Sequence, residues 1–576
     1  MIGRAAIFER LHATDGVRLL RSACRFAGAL FGLLVCGPIA AAAPADATLL
    51  DGLRARRLFE LAERHCEQTL ADPKLSAERR ADLTIEWSRT LAQHALEVPA
   101  DKSAPLWREC QGVVAHFAAE HPHDPRLILV RLQGLLGRGV ESEAARQAAE
   151  NSADPHATEA ARALLRQTLS DLRKLSEELS AELRKAGGSS RQEGGLSAAQ
   201  LASLELHVRY ETARALRNQA LCYPAGSADR TNSLTQAIES LAPVIRLDQR
   251  TPLVWSAMAE EIACWRLLGD FRETAAKLAA AEKEQPSPGF RNRLRAERIR
   301  LALAQREIDE ALAEAGSSER QSGSAEVDLA RLETLLAARD RASQQQPPED
   351  PVPWERRVLD EVRSIEQAHG GQWLRQAEAL LARDPLSGSE GQSAEALSRA
   401  AAGLYRGGKI DEALARYDEA AKLATIEQHA DQAFDWALTA ASIENERSHF
   451  RQAIDRYRSL AMKSPQHAKA AEAHLLAVHG EAQLAQAQQP PKLDEYATLL
   501  REHVATWPQG ATAAQAWCWL GRFEELRQAW SEAIAALEHV PPGDPLFDQA
   551  VESTARCYLG WLADARAGTK RRTVGQ

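Results

Sequence analysis

The ten residues from Gly408 to Tyr417 return forty positions later. Gly408-Lys409-Ile410-Asp411-Glu412-Ala413-Leu414-Ala415-Arg416-Tyr417 is echoed by Ser448-His449-Phe450-Arg451-Gln452-Ala453-Ile454-Asp455-Arg456-Tyr457. The small residue, the apolar residue, the alanine and the tyrosine keep their spacing. A fixed internal period marks a unit that cannot cover its own apolar face and must stack on a neighbour of the same kind. With 45% apolar residues, only 5% aromatics and no long Val/Ile/Thr runs, the 576 residues favour helices over sheets. Apolar stripes recur at helical spacing and no strand alternation is found. The expected fold class is therefore all-α, a helical-hairpin repeat solenoid.

Three units align in the last third. The first carries Leu397, Ala400-Ala401, Gly408, Ile410, Ala413, Tyr417 and Ala420. The second carries Ala437, Ala440-Ala441, Phe450, Ala453, Tyr457, Leu460 and Pro465. The third carries Trp517, Leu520-Gly521, Trp530, Ala533, Leu537, Val540 and Pro545. Ala413, Ala453 and Ala533 fall where two helices of a unit would cross, and Tyr417 and Tyr457 follow one turn later to fill the gap to the neighbour. Trp517-Cys518-Trp519-Leu520-Gly521 has a W-x-x-L-G spacing, with an alanine twelve residues beyond the glycine. This pattern resembles the tetratricopeptide repeat (TPR). A degenerate unit is expected at 468–487 and 493–507, split by Gln488-Gln489-Pro490-Pro491, and a capping helix at 547–565. The match is specific over 395–545. In the first half only Trp255 to Ala259 with Leu268-Gly269-Asp270-Phe271 reads as a unit, and Gly52 to Ala62 reads as one second helix.

Gly, Ser and Pro clusters divide the chain. They occur at Gly187–Gly195, Gly316–Ser324, Gln344–Pro353 and Ser387–Gly391. The expected organisation is a leader over 1–45, a degenerate TPR-like region over 46–340, a linker with short helices over 341–394, a TPR solenoid over 395–565 and a basic tail over 566–576. Leu165, Leu172 and Leu179 lie seven apart within the long amphipathic stretch 158–185. That stretch reads either as the outgoing half of a coiled-coil arm over 158–220 or as a long solenoid pair.

Arg18, Arg21 and Arg25 precede an apolar run from Phe26 to Ala43, and Ala43-Pro44-Ala45 offers an A-x-A cleavage site. This is the plan of a secretory signal, with cleavage near Ala45, so the mature chain is expected in the periplasm or cell envelope. An uncleaved inner-membrane anchor is the alternative. No membrane span is expected in the mature part. Export permits disulfides, but Cys66, Cys110, Cys222, Cys264, Cys518 and Cys557 are scattered and read as small buried residues. The architecture also looks similar to exported repeat proteins of bacterial envelopes, among them helical lipoproteins and Tol-associated factors.

The net charge of −9 with interspersed signs leaves no nucleic-acid footprint. No G-x-S-x-G, H-E-x-x-H or phosphate loop occurs. His121-Pro122-His123-Asp124 reads as an inter-helix turn, not a metal site, and His467, His474 and His479 read as solvated. No catalytic residue, cofactor or metal is expected. The TPR resemblance implies a groove lined by the first helix of each pair. Carried onto this chain it gives Tyr405 and Arg406, Ser442 and Asn445, and Gln515, Arg522 and Glu525. The lysine and asparagine with which some family members clamp a carboxylate are replaced by Ser398/Ala402, Leu438/Ser442 and Cys518/Arg522, so that mode of binding is not expected. Arg406 and Arg522 are the residues placed to meet a carboxylate. The expected function is a non-enzymatic exported scaffold for a protein or peptide partner. The alternatives are a helical-solenoid enzyme acting on envelope glycans, which would need two facing carboxylates, and a self-assembling envelope protein, a homo-oligomer driven by the 158–220 arm.

Overall fold

Many helices in this chain end because the backbone turns left-handed for one residue. A computed structural model describes residues 45–98, 100–152, 154–186, 196–316, 323–344, 352–369, 371–383, 393–486 and 493–574. The leader, the cleavage site, the breaks at 187–195 and 387–391, most of those at 316–324 and 344–353, and the side chains of the basic cluster Lys570-Arg571-Arg572 lie outside the described residues.

The described residues form twenty-four α-helices and no strand. The first six are α1 (Ala45–Ala55), α2 (Phe59–Leu70), α3 (Ala77–Glu97), α4 (Ala100–Glu120), α5 (Leu127–Ser152) and α6 (Pro155–Ala186). Next come α7 (Ala198–Leu221), α8 (Ala228–Ile245), α9 (Pro252–Leu268), α10 (Phe271–Lys283), α11 (Pro288–Ala304) and α12 (Ile308–Gly316). They are followed by α13 (Ala325–Gln344), α14 (Val352–His369), α15 (Gly371–Arg383), α16 (Ala394–Arg406), α17 (Ile410–Ile426) and α18 (Ala430–Glu446). The last are α19 (Phe450–Lys463), α20 (Ala470–Gln486), α21 (Asp494–Thr506), α22 (Ala513–Leu526), α23 (Trp530–Leu537) and α24 (Phe547–Val574).

Seven of the joints share one geometry. Arg57, Gly269, Arg306, Gly408, Gln428, Ser448 and Gln528 all have positive φ, between 59° and 83°. At each, the next residue's N–H reaches back five positions to a carbonyl of the preceding helix, as in Leu58 to Leu53, Asp270 to Trp265, Lys409 to Leu404 and Ala529 to Glu524, at 2.9–3.2 Å. This is the Schellman cap, which satisfies carbonyls the helix leaves bare. Glycine adopts the conformation without steric cost at 269 and 408. The other five residues accept a cost of about 1–2 kcal/mol for it. The turn at Arg57 corrects one expectation. Gly52 to Ala62 is not a single second helix but the end of α1 and the start of α2, and Leu58 and Leu61 are exposed.

The chain groups into two compact units. One comprises Met1–Arg146, Glu159–Thr334 and Ile365–Gln372; the other comprises Gln147–Thr158, Leu335–Ser364 and Trp373–Gln576. In the second unit, α16 to α24 pack each on the next. The alanines at the predicted crossings are buried, Ala413, Ala453 and Ala533 alike, and Tyr417 and Tyr457 are buried with them. Tyr417 sits in a cluster with Ala401 and with Ala440 and Ile443 of the following unit. Close approach is strictest at two glycines. A Cβ on Gly403 would lie 2.4 Å from the Glu378 carbonyl oxygen, and one on Gly521 2.5 Å from Leu537 Cγ. Helices α20 and α21 occupy the expected degenerate unit.

In the first unit, the described residues of 159–220 form a long helix pair packed on α5 and not a free arm. Leu165, Leu172, Leu175 and Leu179 of α6 pack on Leu201, Leu204 and Val208 of α7, and Leu132 of α5 closes the same cluster. The stripe that would have driven self-assembly is therefore covered. The six cysteines of the described chain are free thiols, all buried except the half-buried Cys222.

Candidate functional site

The groove positions inferred from the family resemblance stand on α16, α18 and α22, and most are committed to neighbouring helices. The Tyr405 hydroxyl donates to Glu446, one helix of each unit tied to the next. Arg406 forms an ion pair with Glu378 of α15, whose carboxylate is almost wholly buried. Ser442 Oγ donates to the Leu438 carbonyl at 3.0 Å and accepts from the Tyr457 hydroxyl at 3.0 Å, so it serves the crossing of α18 and α19. Glu525 accepts from Arg556 Nε of α24 at 2.9 Å. Asn445 and Gln515 are half-buried. Arg522 is the exception, being exposed with no ion pair among the described residues. The structure thus brings Tyr405 and Ser442 into the joints between helices and leaves Arg522 as the open cation of the set.

Contrary to the sequence-based reading, two of the three histidines are not solvated. His467 stacks on Phe434 with ring centroids 3.8 Å apart. His474 is fully buried, and its Nδ1 lies 3.3 Å from Nδ1 of His503, itself fully buried. Trp507 covers both rings, at 5.2 Å and 5.3 Å between centroids. His503 Nε2 lies 3.0 Å from the Thr512 hydroxyl. Burial first, and then the adjacent His474, pushes the His503 ring down to about 4, so it is neutral at neutral pH. His121 and Asp124 occupy the turn between α4 and α5, where the Asp124 carboxylate accepts the Arg126 N–H at 2.8 Å. Among the described residues no group of three or more His, Cys, Asp or Glu side chains is arranged to hold a metal ion.

A second surface was not apparent from sequence. Alternate helices of the first unit carry a ladder of opposite charges. Arg214 of α7 meets Glu143 of α5 at 2.9 Å and Glu211 at 3.1 Å. Arg217 pairs with Glu260 of α9. Arg266 of α9 meets Glu297 of α11 at 2.8 Å, and Arg300 of α11 meets Glu333 of α13 at 3.2 Å. Arg293 of α11 stands 3.5 Å from Glu326 of α13. Burial pushes the Glu297 carboxyl up, but Arg266 and Arg300 outweigh it and hold it at about 2. Glu143, Arg214 and Asn218 also line a cavity about large enough for one water, closed by Leu135, Thr168 and Leu172. The charges recur at intervals close to the repeat length, 43 residues from Arg217 to Glu260 and 36 from Glu297 to Glu333. That interval is the signal that could have located them.

Neither Cys66 nor Cys110 offers a nucleophile. Burial pushes Cys66 up to about 12 and Cys110 up to about 11, so both stay protonated.

No protein-family model matches the sequence, and no curated protein sequence does. Among solved structures, the crystal structure of the APC/C hetero-tetramer Cut9-Hcn1 is matched over 88% of this chain and 89% of its own. The identity is 12% and the TM-score 0.22. That TM-score is too low to assign a fold by likeness; the stacked helical hairpins stand on the chain's own turns and helix crossings.

Proposed function

We propose that this protein is a non-enzymatic scaffold that holds a protein or peptide partner. One observation supports the reading most. On the helices that line the TPR-like stack, the described polar side chains mainly tie one repeat to the next, while Arg522 stands exposed beside them without a carboxylate. Such a surface is rigid where it stacks and open where it can meet an acidic group. Catalysis on glycans is disfavoured by the same geometry. A glycosidase needs two carboxylates facing a substrate, whereas Glu143, Glu211, Glu260, Glu297, Glu326 and Glu333 each face an arginine.

The arginine-flanked apolar run before Ala45 supports export, and the partner is then a protein of the cell envelope. Among the described residues no helix is long and apolar enough to cross a membrane. The test is capture from envelope extract with the protein lacking residues 1–45 as bait, with and without Arg522→Glu. Loss of one charge-assisted contact is worth about 1.5–3 kcal/mol, so the variant is expected to bind at least tenfold more weakly with its melting temperature unchanged. Equal capture by the variant would remove Arg522 from the surface, and absence of any specific partner would overturn the scaffold reading.

A further inference from the structure

Helix α24 carries an apolar face that nothing among the described residues covers. Helix α24 packs inward through Ala550, Ser553 and Cys557, all buried. Its Gly560 lies against the Trp530 ring, where a Cβ would come within 2.8 Å, and the Trp530 indole N–H donates to Asp564 at 2.7 Å. The outer side presents Val551, Tyr558, Leu559 and Leu562, each between 44% and 69% exposed, with Trp561, 50% exposed, at the edge of the packed face. Val551, Ala555, Tyr558 and Leu562 fall at i, i+4, i+7 and i+11. That is the spacing of a seam that takes up another helix.

We propose that a second copy of this chain covers the face, with two α24 helices pairing antiparallel about a two-fold axis. Charge selects that occupant and that direction. Asp548 and Glu552 are exposed near the start of the helix, and Arg566 is exposed fourteen residues after Glu552. The sequence then adds Lys570, Arg571 and Arg572 before the helix ends at Val574. An antiparallel pair sets the acidic start of each helix beside the basic end of the other. A parallel pair would set like charges together. The same arrangement aligns opposite helix dipoles. A two-fold contact of this kind is self-complementary and closes at two subunits. The seam is distinct from the Arg522 surface, so either proposal stands if the other fails.

Sedimentation of the protein lacking residues 1–45 tests this over about 1–100 µM, a range that brackets the micromolar affinity expected of one short helix pair. The wild type should approach twice the monomer mass at the upper end. Tyr558→Glu with Leu562→Glu should leave a monomer with an unchanged helical melt, because both side chains are exposed. Glu552→Arg alone should weaken the dimer at least fivefold, and adding Arg566→Glu should restore it, since each reversed charge again meets its opposite across the axis. A wild type that stays monomeric throughout would overturn the proposal and leave the face to a different protein. A dimer that survives the double glutamate variant, or a charge swap that fails to restore pairing, would overturn it too.

Discussion

The repeats of α16–α23 and those of α7–α13 are both stacked helix pairs, but different side chains make their closest contacts. In the later set small residues do it, with ion pairs such as Arg456–Asp418 and Arg451–Glu495 beside them. Ala413, Ala453, Ala533, Gly403 and Gly521 let backbones approach, and Tyr417 and Tyr457 fill what remains. In the earlier set, arginine and glutamate on successive alternate helices do it, through Arg217–Glu260, Arg266–Glu297 and Arg300–Glu333. Shape complementarity is intolerant of added volume. An ion-pair ladder tolerates volume changes but depends on every charge having its partner. Two stacks of helix pairs can thus look alike in backbone and fail under different insults.

The sharpest way to break the comparison is volume. Ala453→Trp inserts a large ring where a fully packed crossing leaves none. It is expected to cost about 3 kcal/mol or more, at the upper end for overpacking, read as a lower melting temperature for the second unit. An unchanged melt would mean that the crossing is not close-packed.

Acid should separate the halves next. The His503 ring is held down to about 4 in the folded chain, while in the unfolded chain it takes a proton near its ordinary 6.5. Between those values the unfolded state binds more protons, so stability falls as the pH drops from about 6.5 to 4, by at most about 3 kcal/mol. His503→Gln should flatten that window. Glu297, held at about 2, gives a contribution that is intact above its ordinary 4.5 and is lost only as the pH falls towards 2. Melting curves against pH should therefore show the second unit weakening first.

Removing one partner from the ladder is expected to be milder. Glu297→Ala leaves Arg266 and Arg300 facing one another's charge. Their partial exposure reduces the penalty below that of a fully buried pair, to about 2 kcal/mol. Denaturant unfolding of the variant, with the second unit unaffected, checks it.

The smallest effect lies in the turns both halves share. Arg57→Gly and Ser448→Gly each relieve a left-handed residue but loosen the unfolded chain. The net gain is expected to be about 0.5 kcal/mol at either site. A loss at either position would mean that the original side chain makes a contact worth more than the strain.

Sequence alone determined the all-helical class, the forty-residue period, the crossing alanines, the plugging tyrosines and the helix pair on either side of Gln488-Gln489-Pro490-Pro491. These are local patterns: the spacing of small and large side chains along one helix fixes which face packs, whatever it packs against. The turn at Arg57 escaped because no glycine or proline announces it, and only the two hydrogen bonds of the finished cap make a left-handed arginine acceptable. The His474–His503 contact, the capture of Arg406 by Glu378 and the ladder from Glu143 to Glu333 escaped for a different reason. Each joins side chains on different helices, 28 to 43 residues apart across most of these pairs, and their meeting depends on the stacking angle and offset of whole helices. That geometry is a property of the packed solenoid, and only the tertiary structure decides which charged or aromatic groups remain open to a partner.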